Sequence, residues 1–145
     1  MFFSEIEVSI KLKNKKYSEL HQIKNAKDAY DVFKKVFNAD TIDWKEEMIM
    51  LCLNNCGKLI GFYKLASGGT TSVVTDVKVL GIVALQSTAS SVIIGHNHPS
   101  GELLPSEDDK ITTKKIKRGL EFIGIALLDH LIITKEGFYS FSENE

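Results

Sequence analysis

Val92-Ile93-Ile94-Gly95 runs directly into His96-Asn97-His98-Pro99, and that junction restricts the fold more than any other feature of the chain. A short β-branched run without polar alternation suits a strand buried on both faces. Ligand sites in open α/β sheets gather at the carboxyl ends of such strands. His96 and His98 lie two residues apart, and in extended backbone that spacing points both side chains to one side. Pro99 holds His98 in the β or polyproline region, where the alternation survives. Further on, Pro105-Ser106-Glu107-Asp108-Asp109 reads as the start of a helix, whose dipole favours a carboxylate in the first turn. Asp109 can thus join the histidines as a third ligand. Two nitrogens and one oxygen, with no fourth ligand nearby, fit a catalytic zinc site that keeps one position open for water.

The chain can carry a core of its own. Its 145 residues fit one domain, and a domain of that size buries about 70% of the surface its unfolded chain exposes. With 43% hydrophobic and 26% charged residues it has ordinary globular composition, which argues against disorder. No apolar run approaches the roughly 20 residues of a membrane helix, and the start, Met1-Phe2-Phe3-Ser4-Glu5, has no basic segment followed by an apolar one. Cys52 and Cys56 do not form a Cys-x-x-Cys pair, and two cysteines are no disulfide framework. They are expected as reduced thiols of a cytoplasmic protein. A net charge of −1 gives no electrostatic footprint for nucleic acid.

Along the chain, Ile6, Val8, Ile10 and Leu12 alternate with polar residues as in a half-buried strand, which Lys13-Asn14-Lys15-Lys16 ends. Asn25 caps an amphipathic helix carrying Ala29, Val32, Phe33, Val36 and Phe37, and residues 38 to 43 connect onward. Residues 46 to 53 and 58 to 66 form a hairpin about the turn Asn54-Asn55-Cys56-Gly57. A loop over residues 67 to 71 leads to a mostly apolar helix at 77 to 90, capped by Thr75 or Asp76. After the histidine strand comes a helix from Ser106 to Phe122, with Ile116, Leu120 and Ile123 inward and Gly124 behind its C-terminus. Short strands at 125 to 128, 131 to 134 and 138 to 141 finish the chain. No internal repeat or linker is visible.

His-x-His, seven residues, Ser, two residues, Asp stands here as His96, His98, Ser106 and Asp109. This resembles the JAMM motif of the JAB/MPN metalloproteases. The neighbouring letters His96-Asn97-His98-Pro99-Ser100-Gly101, together with Leu127-Leu128-Asp129-His130-Leu131-Ile132, are similar to the bacterial RadC-like branch. The resemblance spans roughly Ala26 to Phe141. It implies an α/β fold of JAB1/MPN (cytidine-deaminase-like) architecture, a mixed β-sheet flanked by helices on both faces. It also implies a single RadC-like JAB/MPN domain over residues 1–145, with residues 1–24 as an N-terminal strand extension. Full-length members of the family carry a helix-hairpin-helix region ahead of this domain, and these 145 residues lack it.

The activity implied is zinc-dependent hydrolysis of peptide or isopeptide (amide) bonds, with Zn2+ on His96, His98 and Asp109. A family glutamate on an early strand is the general base, and its match here is Glu46. Glu47 is the alternative, since the two point to opposite faces of the strand and strand period alone cannot choose. Ser106 matches the serine whose hydroxyl donates to the substrate carbonyl as it becomes an oxyanion. Ser106 and Asp109 also have the spacing of a capping box, which is compatible with both roles. Asp129-His130 matches a family signature and is expected as a structural hydrogen-bonding pair. Asn97, Ser100 and Gly101 are expected to shape the loop, Leu103 and Leu104 to pack on the domain or contact substrate with packing the default, and His21 to lie at the surface.

Two lookalikes carry no weight. HNH nucleases place their three residues on separate elements, and zinc deaminases need His-x-Glu with Pro-Cys-x-x-Cys, neither half of which is present. Two other functions compete with hydrolysis. A nucleic-acid-associated, DNA repair-linked module would use the stripe Lys110, Lys114, Lys117 and Arg118, although a charged helix face is usually just solvated. A non-catalytic MPN interaction scaffold would not need the complete ligand set, though the strand at 5 to 12 could pair with a partner's edge, as in a homodimer. The substrate is a peptide or protein whose identity the letters do not encode.

Overall fold

In a computed structural model, which describes residues 1–13, 21–68 and 75–145, the elements are α1 (Ala26–Val36), β1 (Glu47–Leu53), β2 (Leu59–Ser67), α2 (Val77–Gln86), β3 (Ser91–Asn97), α3 (Glu107–Phe122), β4 (Ala126–Ile133) and β5 (Phe138–Ser140). One mixed sheet has the order β2-β1-β3-β4-β5, antiparallel except where β3 pairs with β4. No helix among the described residues is long and apolar enough to cross a membrane.

Helices cover both faces, as the resemblance implies. β1 and β3 are buried along their whole length, so their alternate residues build two cores. Ile49, Leu51, Ile93 and Leu131 face α1, whose Phe33 is fully buried against them. Met50, Cys52, Val92 and Ile94 face α2 and α3 through Leu80, Ala84, Ile116 and Leu120. Asn25 starts α1 by accepting the Asp28 amide, and Asp76 does the same for α2 with the Lys78 amide.

Gly95 is where α1 meets the sheet most closely. A Cβ at that position would lie 2.7 Å from the Phe33 ring, closer than atoms can approach. Gly95→Ala is therefore expected to lower the unfolding free energy by about 1–3 kcal/mol, the usual cost of overpacking a filled core. A urea midpoint equal to that of the parent would mean that Phe33 moves aside freely.

Several expected elements differ. Residues 5 to 12 form no strand, and Ile6 and Val8 are 87% and 62% exposed. Alternation fits a chain to a sheet face, but a strand exists only through pairing, and no ladder engages this segment among the described residues. The break expected at Lys13 to Lys16 lies outside the described residues from Asn14 on, as does the loop expected at 67 to 71 from Gly69 on. Helix α2 stops at Gln86, with Thr88 in the left-handed region at φ 56°. Ile123, expected inward, is exposed just past α3. The strands expected at 125 to 128 and 131 to 134 are one strand, β4, because Asp129 and His130 find buried partners and do not interrupt it. Cys52 is buried, Cys56 is exposed, and neither is in a disulfide.

Candidate metal centre

β3 carries His96 on the face that looks toward α2 and α3, the face of Val92 and Ile94. His98 follows just past the strand, and its amide donates to the Ile133 carbonyl at 3.1 Å, carrying the link to β4 one residue beyond β3. Pro99 and a turn closed by the Gly101 amide on the His98 carbonyl then lead away. Asp109 sits in the first turn of α3 within a complete capping box. Its amide donates to Ser106 Oγ at 3.0 Å, and its own carboxylate accepts the Ser106 amide at 2.8 Å. The helix start thus holds both side chains in place.

These side chains converge. His96 Nε2 and His98 Nε2 are 2.8 Å apart, and the two Asp109 oxygens lie 3.2 Å from one and the other. A tetrahedral zinc ion with bonds of about 2.0–2.1 Å separates its ligand atoms by about 3.3 Å, so the spacing fits one shared ion. Glu46 belongs to the same cluster, offering an oxygen within 4.8 Å of a nitrogen on each histidine. Lone pairs packed this closely need a cation among them, either a ring proton or a metal ion, and the donor set suits a divalent metal. His98 Nδ1 lies 2.6 Å from the Glu102 carbonyl, which can only accept, so Nδ1 carries a proton and the opposite nitrogen is available to a metal.

The structure separates the two glutamates. In the β1–β3 ladder Met48 pairs with His96, so Glu46, two residues back on the same face, lies beside the histidines. Glu47 takes the face of Ile49 and Leu51, with its carboxylate 3.8 Å from Lys64 Nζ. Asn97, between the histidines, holds this arrangement. Its fully buried side chain accepts the Glu47 amide at 2.7 Å and donates to the Ile42 and Lys45 carbonyls, both at 2.8 Å, pinning the backbone on either side of Glu46. Asn97 was expected only to shape a loop, and no local pattern shows a side chain reaching across fifty residues of sequence.

Electrostatics follow the geometry. Burial pushes the Glu46 carboxyl above its usual range, His96 and His98 pull it down, and Asp109 pushes it up, leaving it raised. Burial would also raise Asp109, but the two imidazoles against its oxygens, His96 and His98, outweigh it and hold that carboxyl well below the carboxylate range. For His98, burial favours the neutral ring, yet Asp109 and the Glu102 carbonyl win and raise its pKa. Burial keeps His130, behind the site, neutral well below the ordinary histidine value. An open cleft of about 910 Å³ leads to the cluster, lined also by Ser106, Leu104 and Ile111.

Residues 23–145 match the family described as RadC-like JAB domain. The chain belongs to that family. This RadC-like JAB domain is 40% identical over 123 residues to a UPF0758 protein of Flavobacterium johnsoniae, covering 85% of the chain and 52% of that relative. It is 39% identical over 100 residues to a UPF0758 protein of Porphyromonas gingivalis, covering 68% and 44%. With a UPF0758 protein of Aquifex aeolicus the identity is 33% over 121 residues, covering 83% and 51%. The RadC-like JAB domain thus spans about half the length of the curated relatives it matches.

Proposed function

We propose that the RadC-like JAB domain is a zinc-dependent hydrolase of amide bonds in peptide or isopeptide linkages. The observation that carries this reading is the meeting of His96, His98, Asp109 and Glu46 at the floor of one open cleft. His96, His98 and Asp109 would hold the ion. A bound zinc ion supplies Lewis acidity, which makes water a nucleophile near neutral pH and polarises a carbonyl. Glu46, whose raised pKa makes it a better base than an exposed carboxylate, accepts a proton from the attacking water. As the carbon–nitrogen bond breaks, the same carboxyl group passes that proton to the departing amide nitrogen. Ser106 Oγ already accepts the Asp109 amide, so its own proton remains to donate to the substrate carbonyl oxygen as charge gathers there.

The test is incubation of zinc-loaded protein with linear and isopeptide-linked peptide libraries, read by mass spectrometry for new termini. Cleavage that disappears with chelator and with Glu46→Gln supports the proposal. No cleavage of any linkage by fully loaded protein speaks against it. Ser106→Ala is expected to slow cleavage by about 10²–10³-fold and to remove a helix cap worth about 1 kcal/mol, with zinc content unchanged. A rate within a few fold of the parent would deny Ser106 its role.

The nucleic-acid alternative has one structural support, the exposure of Lys110, Lys114, Lys117 and Arg118 on α3. Lys110 is already paired with Glu107 at 2.7 Å. Anisotropy of labelled DNA at low salt separates the readings, because a hydrolase of amide bonds needs no DNA binding and a DNA module must show binding that weakens with salt.

A further inference from the structure

His130 takes no part in the proposed reaction, yet it touches the machinery from behind. It is 1% exposed, and its ring stacks on Phe141 at 4.8 Å. Its Nε2 lies 2.7 Å from His96 Nδ1, and its Nδ1 lies 2.6 Å from Thr113 Oγ1. Thr113 Oγ1 is in turn 2.6 Å from the Asp109 backbone carbonyl, one helical turn earlier in α3.

The last contact gives the chain its direction. A carbonyl oxygen can only accept, so the Thr113 hydroxyl spends its single proton on Asp109. The Thr113 oxygen then accepts from His130 Nδ1–H. With its proton on Nδ1, neutral His130 offers a lone pair at Nε2, and only His96 Nδ1–H is there to donate to it. His96 must then present the lone pair of Nε2 to His98 and Asp109.

We infer that His130, oriented by Thr113, is a positioning residue that fixes the Nδ1–H tautomer of His96 and so aims a metal-binding lone pair into the cleft. Metal-binding histidines commonly donate their second ring nitrogen to a carboxylate or carbonyl; here a buried imidazole takes that place.

The backbone of β4 is shaped for this. Val92 pairs with Leu127 but Ile93 pairs with Asp129, so Leu128 is an extra residue, a β-bulge. In unbroken register Ile94 would pair with Asp129 and put that carboxylate behind His96. The bulge instead pairs Ile94 with His130 and turns Asp129 to the opposite face. There Asp129 accepts from Ser140 Oγ at 2.6 Å and from the Ser142 amide at 3.0 Å, fastening the C-terminal turn.

The inference rests on the metal site proposed above, and its test separates the two. Long-range 1H–15N spectra of the metal-free parent protein are expected to show neutral His130 protonated at Nδ1 and bare at Nε2. A proton at Nε2 would overturn the relay. Zinc affinity by chelator competition is expected to fall about 10- to 100-fold in His130→Phe, the range typical of partners behind a metal ligand. His130→Gln, whose side-chain oxygen can accept from His96, is expected to recover most of that loss. Parental affinity in a folded His130→Phe variant would refute the inference, and the tautomer decides should that variant not fold. Absence of zinc binding by the parent would defeat the proposed function, while the His130 tautomer would still judge the relay.

Discussion

Glu46→Gln is expected to slow amide cleavage by about 10²–10⁴-fold, the contribution of a positioned general acid–base, with zinc content unchanged at one ion per chain. Glutamine keeps the shape and loses only the ability to take and return a proton. The position itself is secure, because Asn97 bonds the Lys45 carbonyl before Glu46 and the Glu47 amide after it. Glu47→Gln is the matched control and is expected to leave the rate near the parental value, since that carboxylate faces Lys64 on the other side of β1. Paired rate and metal measurements separate the outcomes. Loss of zinc in Glu46→Gln would make Glu46 a ligand and not the base, and equal loss of rate in both variants would mean that strand geometry, not proton transfer, had been disturbed.

Asp109→Asn is expected to weaken zinc binding by more than about 100-fold, beyond what loss of a partner behind a ligand costs, and to abolish cleavage at ordinary metal concentrations. Asparagine can still accept the Ser106 amide and complete the cap, so α3 should persist with stability near that of the parent. What disappears is the negative charge 3.2 Å from each of two imidazole nitrogens that are themselves 2.8 Å apart. Without it the two rings have only their own lone pairs to offer a dication. Competition against a chromophoric chelator measures the change, and affinity within a few fold of the parent would remove Asp109 from the coordination set.

The parts of this site that could be read from the sequence are those that local backbone rules determine. His96 and His98 share a side because they are two residues apart in extended chain, and Asp109 is held because Ser106 caps the helix three residues before it. The choice between Glu46 and Glu47 needed a long-range register, the pairing of Met48 with His96. The proximity of His130 to His96 needed more, because a single extra residue at Leu128 decides whether Asp129 or His130 stands behind the histidine. Only the local part of that arrangement was legible: Thr113 follows Asp109 by four residues and so lies on its face of α3. Helix α1 was legible from its cap and apolar spacing, whereas the alternation at residues 5 to 12 promised a strand for which the described residues supply no ladder.

The most direct test is an anomalous difference map collected at the zinc edge from crystals of protein purified without chelator. The expected result is a single strong peak within bonding distance of His96 Nε2, His98 Nε2 and an Asp109 oxygen, with Glu46 facing it from β1. A map with no peak there after zinc is added, or one whose only peak lies elsewhere, would contradict the assignment of this cluster as a metal centre.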